Sequence, residues 1–120
     1  MTVDDLQRAF RASWNRLTAE HPHRWTPDNP AYLQCSATAL VVRDLLGGDV
    51  LIAPVTLNGA AHGFHAWNRL ADGTEVDLTR EQFRSGEVIG EPQPGEPPRG
   101  FLASAVLCAR VERRLRELAA

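Results

Sequence analysis

From Phe64 to Thr79 the chain carries two alternating segments on either side of Ala71-Asp72-Gly73, and no other stretch constrains the fold as tightly. Alternation with a period of two sends successive side chains to opposite faces of a strand, so these segments form an antiparallel hairpin. Phe64, Ala66, Asn68 and Leu70 make one face, and His65, Trp67 and Arg69 the other. The turn decides where the return strand, Glu75 to Thr79, puts its side chains. A two-residue Asp72-Gly73 turn pairs Arg69 with Val76 and sends Asp77 to the face opposite His65. A three-residue Ala71-Asp72-Gly73 turn, with Gly73 left-handed in a bulge, pairs Leu70 with Thr74 and Trp67 with Asp77. Asp77 then lies diagonal to His65 on one face, about 7 Å away between backbones. Joint chemistry of His65 and Asp77 requires the bulged turn.

The remaining elements surround this hairpin. Val50, Leu51, Ile52, Val55 and Leu57 mark a strand over 49 to 57, where Pro54 indicates an edge or a bulge. Asn58-Gly59 is a turn, followed by a small loop, Ala60 to Gly63. Val3, Leu6, Phe10, Trp14 and Leu17 predict an amphipathic helix over 3 to 18, with Thr2 or Asp4 as N-cap. Residues 21 to 30 hold three prolines and form an extended connection. The apolar run from Ala31 predicts a helix that Gly47 and Gly48 stop, with Cys35 near its start. Thr79 to Phe83 reads as one capped helical turn, Thr79 being the N-cap and Gln82 its capping-box partner. Ser85 to Gly100, rich in proline and glycine, reads as a long irregular loop. Leu107, Val111, Leu115 and Leu118 make a helical stripe in the last segment, against a solvated face of Arg110, Arg113, Arg114 and Arg116.

A length of 120 residues supports one domain over 1 to 120, and a formal net charge of −2 gives no basic excess for nucleic acid or an anionic membrane. No apolar run has membrane-spanning length and no secretory leader opens the chain, so a cytoplasmic location is expected. The 2 cysteines, Cys35 and Cys108, are too few for a disulfide framework and are expected as free thiols. Cys108 reads as a small apolar residue of the last helix. Cys35 is different, because free N–H groups and partial positive charge at a helix start stabilise a thiolate. His65 then serves as base and Asp77 orients its ring, giving a thiolate–imidazolium pair. Gln34 and the Cys35 N–H are candidate oxyanion donors. Tyr32, His62 and Arg69 are candidate substrate contacts, as is Trp25 beside Tyr32, whereas His21 and His23 read as surface residues.

His65-Ala66-Trp67, the hairpin and Asp77-Leu78-Thr79 resemble the H-A-W and D-x-T elements of transglutaminase-like and papain-like cysteine enzymes. Trp25 to Cys35 together with His65 to Phe83 resembles the small YunG-like bacterial proteins. The first resemblance implies Cys35 as nucleophile, His65 as base, Asp77 as orienting acid and Trp67 as a wall of the site. In the papain pattern the oxyanion glutamine stands several residues before the cysteine, whereas Gln34 adjoins it.

The expected fold is α+β: a small papain-like or transglutaminase-like domain with a Cys35 helix packed on a short antiparallel sheet carrying His65 and Asp77, flanked by terminal helices. The expected function is thiol-dependent hydrolysis or acyl transfer at an amide or thioester, on a peptide, protein or small-molecule amide or ester, with no cofactor. One alternative is a noncatalytic binding module on the same scaffold. Another is zinc binding through Cys35, His62, His65 and Asp77, whose side chains have the right donor chemistry.

Overall fold

The computed structural model describes residues 2–97 and 101–119. Helix α1, Val3–Ser13, begins at the expected cap: the Thr2 hydroxyl accepts from the Asp5 N–H at 3.1 Å and Asp5 accepts from the Thr2 N–H at 3.0 Å. A cap of this kind contributes about 1 kcal/mol. The helix buries Leu6, Ala9 and Phe10, but ends at Ser13 instead of near residue 18. Asn15 is the cause, since its side chain accepts from the Leu17 N–H and opens a separate 3-10 turn, Arg16–Thr18. Leu17 therefore leaves the core stripe and is 64% exposed. Trp14 remains buried, its indole N–H donating to Thr38 at 3.0 Å.

Helix α2, Cys35–Leu46, ends at Gly47, whose N–H donates to the Arg43 carbonyl at 2.8 Å. Gly48, at φ +84°, follows where a Cβ would stand 2.4 Å from the Arg69 carbonyl oxygen, so only glycine fits between the helix and the sheet.

The antiparallel sheet contains β1 (Asp49–Leu57), β2 (Ala60–Arg69), β3 (Glu75–Val76), β4 (Glu87–Ile89) and β5 (Gln93–Pro94). Its order is β3-β2-β1-β4, with β5 also paired to β1. Asn58 and Gly59, both with positive φ, make a two-residue turn that pairs Leu57 with Ala60. Residues 60 to 63 thus belong to β2 and are not the loop their small side chains suggest. Pairing shifts between Pro54↔Phe64 and Thr56↔Ala61, leaving His62 and Gly63 opposite Val55 in a bulge, with Gly63 at φ +77°. Pro54 lies between the part of β1 paired to β5 and the part paired to β4, so its missing N–H interrupts neither ladder. β4 and β5 correct the expected irregular loop; the prolines and glycines hid two short edge strands. Residues 98 to 100 of that stretch lie outside the described residues.

The hairpin adopts the bulged register. Leu70 N–H donates to the Thr74 carbonyl at 2.8 Å, Gly73 has φ +88°, and Asn68 pairs with Val76. Val76 and Leu78 turn into a core shared with Leu6, Phe10, Val41, Leu107 and Val111, which joins α1, α2 and α3, the last spanning Phe101–Ala119. Asp77, between them, faces the other way. The basic side of α3 is not wholly solvated: Arg110 donates to the Ser13 carbonyl at 3.0 Å and to Asn15 at 2.9 Å, tying α3 to the end of α1. Leu118 falls off the stripe, 51% exposed. The architecture is a small α+β domain.

Candidate functional site

A short polar contact across the hairpin joins the two residues that the register aligns. His65 Nε2 lies 2.7 Å from Asp77 Oδ2, and the imidazole is 0% exposed. A carboxylate only accepts, so Nε2 carries the hydrogen. Asp77 Oδ2 also accepts from Arg80 Nε at 2.9 Å. Trp67 stacks on the imidazole with centroids 5.4 Å apart, and Phe83 meets it edge-on at 4.7 Å. The Trp67 indole is itself fixed, donating to Glu75 at 2.6 Å. The ring is therefore held in one orientation by packing and one ionic hydrogen bond.

Its second nitrogen is also engaged. Gln82 Nε2 is 3.3 Å from His65 Nδ1, so the amide donates and Nδ1 accepts. The backbone of Gln82 is anchored by Asn29, whose amide donates to the Gln82 carbonyl at 2.9 Å. Gln82 thus acts otherwise than as a capping partner: Thr79 makes no side-chain cap bond to the 3-10 turn Arg80–Gln82.

Cys35 is the first residue of α2, but the sulfur does not carry the charge that position suggests. It packs with Ala39, Val50 and Ala66. Burial pushes the thiol up to about 11, with the carboxylates of Glu20 and Asp77 adding to the rise, while the Ala66 N–H and the Ser36 hydroxyl oppose it. Desolvation outweighs the helix-terminal field, and the thiol is neutral at pH 7. Ala66 faces α2, and Cys35 packs against it one residue along β2 from His65. Among the described residues no hydrogen bond joins Cys35 to His65, and the expected thiolate–imidazolium pair is not formed in this state.

Cys35 and Gln82 open onto a common cavity of about 530 Å³, together with Tyr32, His62, Phe64 and Phe83. The size suits a small ligand or a short peptide segment. Glu20, His21 and Arg24 complete one wall, so His21 lies at the cavity and is not a bystander surface residue. This wall belongs to a loop closed on itself: Glu20 N–H donates to the Leu33 carbonyl at 2.8 Å, Trp25 to the Pro30 carbonyl at 3.0 Å and Arg24 to the Tyr32 hydroxyl at 2.8 Å. Leu33 closes it at φ +64°.

Several expected contacts lie elsewhere. Gln34 is buried, its amide donating to the Asn15 carbonyl at 3.0 Å and its oxygen unpartnered, so it offers nothing to an oxyanion at the cavity. Arg69, at the far end of β2, sits 3.7 Å from Asp49. Trp67 walls the back of His65 and does not line the cavity. His62, placed by the bulge, does line the cavity, 3.7 Å from Glu87. Among the described residues no three His, Cys, Asp or Glu side chains gather as metal ligands, so the zinc alternative has no cluster to rest on. No helix among the described residues is long and apolar enough to cross a membrane.

Residues 2–116 match the family model described as YunG protein. A protein of Bacillus subtilis (strain 168) described as "Uncharacterized protein YunG" is 29% identical over 83 residues, which cover 69% of this chain and 64% of that relative. The chain thus aligns to less than two thirds of the relative's length. No solved structure matches. With nearly its whole length on the family model, the chain belongs to the YunG family.

Proposed function

We propose that the protein is a thiol-dependent acyl-transfer or hydrolytic enzyme acting on an amide or thioester, with Cys35 as nucleophile, His65 as base and Asp77 as the group that orients it. The observation that carries this is the 2.7 Å His65–Asp77 bond on the residue next to Ala66, against which the Cys35 side chain packs. A buried imidazole with Nε2–H on a carboxylate carries its lone pair on Nδ1, the tautomer a thiol nucleophile needs, and here that lone pair accepts from Gln82. The likeness to papain-like and transglutaminase-like enzymes supports the same roles.

In the reaction the thiol proton moves to Nδ1 and the sulfur attacks the acyl carbon, forming a C–S bond as the carbonyl π pair moves onto oxygen. Collapse of that oxyanion breaks the bond to the leaving amine or thiol, which takes the proton from Nδ1. Water or an amine then releases the acyl group, and the thiol is restored. A small activated acyl thioester, incubated with the protein and followed by mass spectrometry, tests the idea. A +acyl adduct should appear on Cys35 in the wild type and fall by about 10²-fold or more in His65→Ala.

The neutral thiol favours one other reading, a binding module that keeps the scaffold without chemistry. It predicts ligand retention in the cavity with no Cys35 adduct under any condition.

A further inference from the structure

Gln82 is a cavity side chain that the acyl-transfer roles leave unused, and its position is specific. It is 9% exposed, fixed through its carbonyl by Asn29, and reaches both the space in front of Cys35 and the imidazole nitrogen that must receive the thiol proton. One amide N–H₂ group cannot remain the partner of Nδ1 while Nδ1 takes up a proton, because both would then present hydrogen. The resting contact therefore withholds the base from the thiol. The contact is long, 3.3 Å, and an acceptor entering the cavity competes for the same N–H.

We propose that Gln82 is a substrate-released positioning residue: it caps His65 Nδ1 until the carbonyl oxygen of an acyl ligand takes over its amide, which frees Nδ1 for Cys35 and leaves Gln82 donating to the developing oxyanion. This rests on the acyl-transfer reading above and names the ligand class that switches the site on, a compound presenting an amide or thioester carbonyl. The step itself balances simply. One N–H···N hydrogen bond is exchanged for an N–H···O bond, and one proton passes from sulfur to Nδ1 with no other reactant. Gln34 is turned into the core, so the side-chain amide on the cavity wall is that of Gln82.

The test compares Cys35 alkylation by two probes, chloroacetamide, which carries a carbonyl, and allyl bromide, which carries no oxygen or nitrogen acceptor, with Cys108 as the reference in the same protein. In the wild type at pH 7 the Cys35-to-Cys108 rate ratio should be at least fivefold higher for chloroacetamide; equal ratios overturn the proposal. Gln82→Met keeps the volume and removes the N–H. It should raise the allyl bromide rate at Cys35 about tenfold, and Gln82→Met/His65→Ala should abolish the gain. An unchanged rate in Gln82→Met, with wild-type alkylation already dependent on His65, overturns the release step while leaving the nucleophile assignment intact. Loss of any His65 dependence in every variant overturns both. The wild-type probe comparison is independent of whether Gln82→Met folds.

Discussion

Cys35 and Cys108 are both free thiols, and burial pushes both upward, yet their surroundings differ in kind. Cys108 sits on α3 with its sulfur 3.4 Å from Glu112, a neighbour whose negative charge disfavours the thiolate and whose carboxylate cannot take part in removing its proton at neutral pH. Cys35 exchanges water for a backbone N–H, a cavity and an imidazole one residue along the strand. A raised thiol is thus common to a bystander and a candidate nucleophile. The difference lies in whether the groups that replaced water can move a proton.

The largest effect separates the two thiols directly. Cys35→Ala should remove acyl capture entirely, by about 10³-fold or more, whereas Cys108→Ala should change it less than about twofold, as read by mass spectrometry of the acylated protein. Equal losses would collapse the distinction.

Asp77→Asn comes next. It replaces the acceptor of Nε2–H with a group that can donate and so favours the wrong tautomer. Cys35 acylation should fall about 10²-fold, with stability lower by about 2–3 kcal/mol in urea unfolding, while alkylation of Cys108 stays unchanged.

A smaller effect appears in alkaline stability. Below pH 9 the thiol is protonated in both states; between its ordinary 9.0 and about 11 the unfolded chain ionises at Cys35 before the folded one can. The folded state then binds more protons, so stability falls as pH rises through that window, by up to about 2–3 kcal/mol. Cys35→Ser should flatten most of that slope in denaturant titrations, and an unaltered slope would assign it to other groups.

The mildest change is Gly73→Ala, at a left-handed position with open space around a Cβ. It should lower stability by about 1 kcal/mol without moving Cys35 reactivity, measured by thermal unfolding and alkylation together.

The hairpin was legible because turn length and period-two alternation leave only two registers, and only one gives His65 and Asp77 a common face. The end of α2 was legible from its glycine stop, whereas its start was not: the apolar run from Ala31 continues through a left-handed Leu33, and the helix begins only at Cys35. Gln82 was not legible either, since a glutamine three residues after a threonine has the spacing of a capping box, and only the packing of Phe83 and Asn29 diverts it to His65. The charge state of Cys35 was hidden for a related reason: a cysteine near a helix start is visible in sequence, whereas the burial that outweighs that position arises from Ala39, Val50 and Ala66 meeting in space. β4 and β5 were obscured by prolines placed where a ladder tolerates them.

The loop closed between Glu20 and Leu33 has a separate consequence. Its ends are joined by one backbone hydrogen bond, and much of its bonding is internal, as in a compact surface loop whose contents can vary without disturbing its base. One wall of the cavity is therefore a replaceable part. Substitution at His21 can change the lining of that wall while the sulfur and the imidazole stay where they are.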